Sequence, residues 1–128
     1  MEAGPRPLGG FREIAVVTTA VGHIIAGSDG GAITLWAPAL AEPRLRYIAE
    51  LDGMAEALAV TAAGMLLTGG HPGDIRLWNP AIGLGNPHRA AAGRLLARLD
   101  HRILSIAVTA DGRVACATAT GIALFQLT

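Results

Sequence analysis

Three stretches of this chain are copies of one another, and that self-similarity restricts the fold more than any other feature. The first reads AVVTTAVGHIIAGSDGGAITLW from Ala15 to Trp36, and the second reads ALAVTAAGMLLTGGHPGDIRLW from Ala57 to Trp78. The third reads SIAVTADGRVACATATGIALF from Ser105 to Phe125, with one residue fewer in its second turn. Gly22, Gly64 and Gly112 coincide, as do Thr19, Thr61 and Thr109, then Ile33, Ile75 and Ile122, then Leu35, Leu77 and Leu124. Trp36 and Trp78 lie 42 positions apart and Trp78 and Phe125 lie 47 apart. A period of about 40–50 residues marks a repeat architecture.

Each copy has the same internal grammar. A short β-branched run such as Leu58 to Thr61 is closed by a small-residue turn at Gly64, and a second run, Met65 to Thr68, leads into a Gly-rich turn. A third run, Asp74 to Trp78, alternates Ile75 and Leu77 with Asp74, Arg76 and Trp78, the period of two expected of a strand. Runs this short between turn signals are strands of a meander, not helices. Arg44 to Leu51 and Gly93 to Leu99 are positioned to add a fourth strand to the first two copies.

A four-stranded unit of this length, with a Gly turn before a strand ending in Trp, resembles the WD-repeat β-propeller family. The resemblance spans roughly residues 8–128 and is best matched at Gly73–Pro80 and Thr109–Thr118. It implies an all-β partial propeller of about three four-stranded antiparallel blades in an incomplete ring. Blade 1 would occupy residues 13–53, blade 2 residues 54–101 and blade 3 residues 102–128, the last lacking its outer strand. Residues 1–12 would form a flexible edge, and Pro5 to Phe11 are placed to supply that strand, in the same chain or in a second copy. The departures are specific. The family's Trp-Asp pair is Trp36-Ala37, Trp78-Asn79 and Phe125-Gln126 here, and its Gly-His pair is matched only by Asp100-His101. The turn Asp of the family's buried polar network falls on Gly30 and Pro72, which predicts blades without that tetrad.

Composition narrows the function classes. Ten basic and ten acidic residues balance, all the basic ones being Arg, so nothing draws the chain to polyanions in bulk. Arg89, Arg94, Arg98 and Arg102 cluster without interleaved aromatic residues, as on a solvated outer strand and not a nucleic-acid site. Hydrophobic residues make up 52% and charged residues 16%, against about 25% charged in an ordinary soluble domain. The longest uncharged stretches are broken by Gly and Thr and fall short of the roughly 18 apolar residues of a membrane span. MEAGPRPLGG at the N-terminus is not a signal peptide, and a cytoplasmic location is expected.

The polar residues form no recognisable reactive set. His23, His71, His88 and His101 have no pair at metal-ligand spacing, and the lone Cys116 sits in an apolar run as a small buried hydrophobe. Ser28 and Ser105 lie outside any nucleophile elbow, and no phosphate loop or dinucleotide fingerprint is present. No metal, cofactor or catalytic residue is therefore expected. The resemblance implies a non-catalytic protein-interaction module or scaffold. The competing class is a propeller enzyme of lyase or lactonase type, for which His71, Asp74 and His101 are the candidates. Three blades leave two apolar faces open, since propellers typically have four to eight. Such a chain is part of a longer propeller, pairs with itself, or completes the ring of another polypeptide.

Overall fold

The computed structural model describes residues 12–36, 45–51, 53–70, 73–79 and 93–127. Every regular element among them is a β-strand. The first sheet holds β1 (Glu13–Thr18), β2 (Ile24–Ser28), β3 (Ala32–Trp36) and β4 (Leu45–Glu50), paired in that order. The second holds β5 (Ala55–Val60), β6 (Leu66–Gly70), β7 (Asp74–Trp78) and β8 (Arg94–Arg98). The third has three strands, β9 (Ile103–Val108), β10 (Arg113–Thr118) and β11 (Gly121–Gln126). All pairings are antiparallel between chain neighbours, as a meander requires.

The repeat extends to irregularities. Ile14, Glu56 and Leu104 are each an extra residue in the first strand of their sheet, a bulge that adds local twist. β1 packs on β5, and β5 packs on β9, so the three sheets follow one another through their first strands.

Two cores fill the junctions. Between the first and second sheets lie Ile25, Ile33, Leu35, Ala55, Leu66 and Trp78. Between the second and third lie Ala57, Ala59, Leu67, Ile75, Ile103, Val114 and Cys116. The second sheet is thus covered on both faces, which buries Trp78 as well as Ile75, although they alternate along β7. Trp78 Nε1 donates to Thr68 Oγ1 at 2.8 Å, the polar contact that lets an indole sit inside.

β6 runs two residues further than its sequence pattern indicates. Gly69 and Gly70, which read as turn residues, pair with Ala57 and Ala55. A Cβ on Gly70 would lie 1.9 Å from the Met54 carbonyl oxygen, so only glycine lets the strand continue there. Pro5 to Phe11, expected as a spare outer strand, lie outside the described residues. No helix among the described residues is long and apolar enough to cross a membrane.

Candidate functional site

One four-residue turn is built three times. Thr19-Ala20-Val21-Gly22 joins β1 to β2, Thr61-Ala62-Ala63-Gly64 joins β5 to β6, and Thr109-Ala110-Asp111-Gly112 joins β9 to β10. The threonine closes the turn twice over. Its backbone N–H donates to the carbonyl of the residue four on (His23, Met65, Arg113) at 2.8–2.9 Å. Its Oγ1 accepts that residue's N–H at 3.1, 3.1 and 3.0 Å. The glycine N–H returns to the threonine carbonyl at 2.9–3.0 Å with φ of +86°, +84° and +88°. That left-handed conformation is costly for any residue with a Cβ, which explains why the turn is written T-A-X-G each time.

The three turns meet around one cavity of about 550 Å³ at a single end of the sheets, lined also by His23, Leu35, Val60 and Val108. The volume falls in the usual range for ligand pockets, roughly 300–1,000 Å³. Among the described residues its walls are threonine hydroxyls and apolar side chains, and His23 is the one ionisable group lining it. The described lining holds no acid–base pair. Thr109 is distinguished by donating its hydroxyl to Asp111, which an Arg113 guanidinium approaches at 3.5 Å.

Of the residues singled out as enzyme candidates, the two that are described lie elsewhere. His71 is outside the described residues. Asp74 begins β7 at the opposite end, where Arg98 grips it through Nε at 2.8 Å and Nη2 at 3.3 Å and Arg76 Nη2 adds a contact at 3.5 Å. The Arg98 hydrogen bond, helped by the charge of both guanidiniums against the opposing effect of burial, holds the Asp74 carboxyl below its ordinary value. Such a carboxylate is a poor proton acceptor near neutrality. His101 is exposed in the β8–β9 connection, and its carbonyl packs against Gly73.

The remaining candidates have structural roles. Ser28 is buried and its Oγ accepts the Ala32 N–H at 3.0 Å. Ser105 is exposed on β9. Burial pushes the Cys116 thiol up to about 11, which keeps it protonated and unreactive at neutral pH. Arg102 bridges the second and third sheets by an ion pair to Glu56 at 2.7 Å, and Arg89 and His88 lie outside the described residues. Among the described residues no group of three or more His, Cys, Asp or Glu is placed to hold a metal.

No protein-family profile matches the chain. No curated protein matches it either. Among solved structures, one described as "Crystal structure of the computationally designed Ika4 protein" aligns over 98% of this chain and 100% of its own, with a TM-score of 0.52 and 12% identity. At that identity the likeness is one of fold alone.

Proposed function

We propose that the chain is a non-catalytic interaction module or scaffold built as consecutive blades of a β-propeller of the WD-repeat kind. Its binding end is the one where the three T-A-X-G turns meet. The observation that supports this reading is the shared cavity: three equivalent turns, far apart in sequence, surround one space of about 550 Å³. The described lining offers apolar contact and hydroxyls and no charged pair, which suits an uncharged peptide segment carrying a small apolar side chain and a hydrogen-bond acceptor. The enzyme alternative would need His71, Asp74 or His101 to converge on a reacting group, and Asp74 is already committed to two arginines.

The test is selection of a displayed random peptide library on the immobilised full chain. Short apolar peptides are expected to be enriched and to lose at least tenfold in affinity when Ala62→Asp or Val21→Asp places a carboxylate on the cavity wall. Both positions are exposed, so the fold tolerates the change. Failure to select any peptide, or binding indifferent to both substitutions, overturns the reading.

A further inference from the structure

The two junctions inside the chain follow one rule, and the third sheet breaks it. The first sheet presents Ala15, Val17, Ile25, Gly27, Ile33 and Leu35 to the second. The second presents the equivalent set, Ala57, Ala59, Leu67, Gly69, Ile75 and Leu77, to the third. In the third sheet that set is Ser105, Ala107, Ala115, Ala117, Ile122 and Leu124, and nothing covers it among the described residues. Ile33 and Ile75 are 0% exposed, whereas Ile122 is 74% exposed. Leu35 is 3% exposed, whereas Leu124 is 76% exposed.

The opposite end of the stack carries the matching half. Leu58 and Ile106 sit at one equivalent position and pack against the junction cores, but their counterpart Val16, on the outer face of the first sheet, is 67% exposed. The third sheet is therefore open across its apolar face, and the outer face of the first sheet is open along β1 at Val16, while Ser28, Ala32 and Thr34 on β2 and β3 are buried. Faces of these two types meet twice within the chain.

We infer that a second copy of this chain stacks the outer face of its first sheet on the open face of the third, and that the reciprocal contact closes the pair. A head-to-tail contact of this kind either closes into a ring or runs on as a filament. Two copies give six sheets, within the four to eight of known propellers. The formal net charge of zero sets up no overall repulsion between copies. The second copy also brings its own Thr19, Thr61 and Thr109 turns to the same end, so the cavity gains three further turns on its rim. The inference rests on the stacked-blade reading above, but not on the cavity's binding a peptide.

The junction between copies is looser than those within the chain. Gly27 lies so close to Ala55 that a Cβ would approach its carbonyl oxygen to 2.6 Å, and one on Gly69 would come within 2.9 Å of Ile103. At the place equivalent to Gly27 and Gly69 in the new junction stands Ala117. The pair is therefore reversible on dilution, and Ala117→Gly tightens it.

The experiment is absolute mass by light scattering over a concentration series on the full chain. Wild type is expected at twice 13.1 kDa at high concentration and at 13.1 kDa on dilution, with the midpoint moving about tenfold lower in Ala117→Gly. Leu124→Asp and Val16→Asp should each stay at 13.1 kDa with unchanged far-ultraviolet circular dichroism, and an equal mixture of the two should recover the paired mass through its one intact junction. A monomer at every concentration overturns the inference. So does a Val16→Asp protein that still pairs, which would mean the third sheets face each other, or a ragged series of larger masses from an open stack. Ala62→Asp separates this inference from the proposed function, because it should weaken peptide capture at least tenfold and leave the mass unchanged.

Discussion

Among the described residues each sheet has one hairpin turn at each end, and in the first two sheets those two turns are held differently. At the cavity end the three turns share one sequence and close themselves by local threonine and glycine hydrogen bonds. The first two touch little else, while in the third the Gly112 and Asp111 carbonyls also accept from Leu127 N–H at 2.8 Å and Gln126 Nε2 at 2.7 Å. A Cβ on Gly22 or Gly64 would find nothing within 4 Å. At the other end the turns of the first two sheets differ in sequence and are tied to the next connection. Gly31 donates to Ser28 and accepts from Leu51, and Gly73 accepts from Leu99. The first kind of turn is a self-sufficient unit that leaves its outer surface free for a ligand. The second is a joint that fixes how one sheet hands over to the next.

The sharpest way to break this comparison is to add one methyl group at each end. Gly31→Ala and Gly73→Ala would meet the Leu51 and Leu99 carbonyl oxygens at 2.4 Å, on top of positive φ values of +92° and +127°. Strain and overpacking together should cost about 3–4 kcal/mol. Gly64→Ala, with φ +84° and open space, should cost only about 1 kcal/mol. Urea unfolding of the three variants measures the gap. Equal losses would show that the two ends are not built differently.

How far the sequence discloses this depends on the range of the interaction. The strands were legible because period-two alternation and turn residues are local: β7 falls on Asp74–Trp78 as the alternation indicates, and β4 and β8 lie within the stretches marked for outer strands. The face assignment was less so. Alternation separates Ile75 from Trp78 but cannot say that a neighbouring sheet covers both sides. The cavity was missed because residue chemistry points to His71, Asp74 and His101, while its walls are threonine, alanine and valine. The signal was present in T-A-X-G at 19, 61 and 109. What it lacked was the meeting of three turns 42 and 48 residues apart, which only the stacking of the sheets supplies.

The first and second sheets sharpen the comparison at the next level down. Trp36 and Trp78 are equivalent, yet Thr68 stands beside Trp78 where Ala26 stands in the first sheet. Trp78→Phe removes the donor to Thr68 Oγ1 inside the protein and should cost about 2 kcal/mol. Trp36→Phe, with no hydroxyl at the corresponding place, should cost about half as much. A melting-temperature difference of only one sign, with Trp78→Phe the less stable, is expected. Equal effects would mean that the buried hydrogen bond contributes nothing beyond ring packing.

The smallest effect belongs to the joint end and depends on pH. Arg98 and Arg76 hold the Asp74 carboxyl below its ordinary value, whereas in the unfolded chain it titrates near 4. A carboxyl with a lowered folded pKa stabilises the fold above its unfolded value, and that contribution fades as pH falls through the folded one. Arg98 is two-thirds exposed, so solvent and salt weaken the pair and the gain is modest. Asp74→Asn should therefore melt slightly below wild type at pH 7, with a constant gap down to about pH 5 that closes below about pH 4. Thermal melts of both proteins between pH 7 and pH 2.5 decide the matter. A gap that persists at the acid end would assign the loss to the altered turn, because a protonated Asp74 and the asparagine of the variant are then nearly equivalent partners for Arg98. No gap at neutral pH would leave the close backbone contacts of Gly31 and Gly73 as the whole basis of the joint.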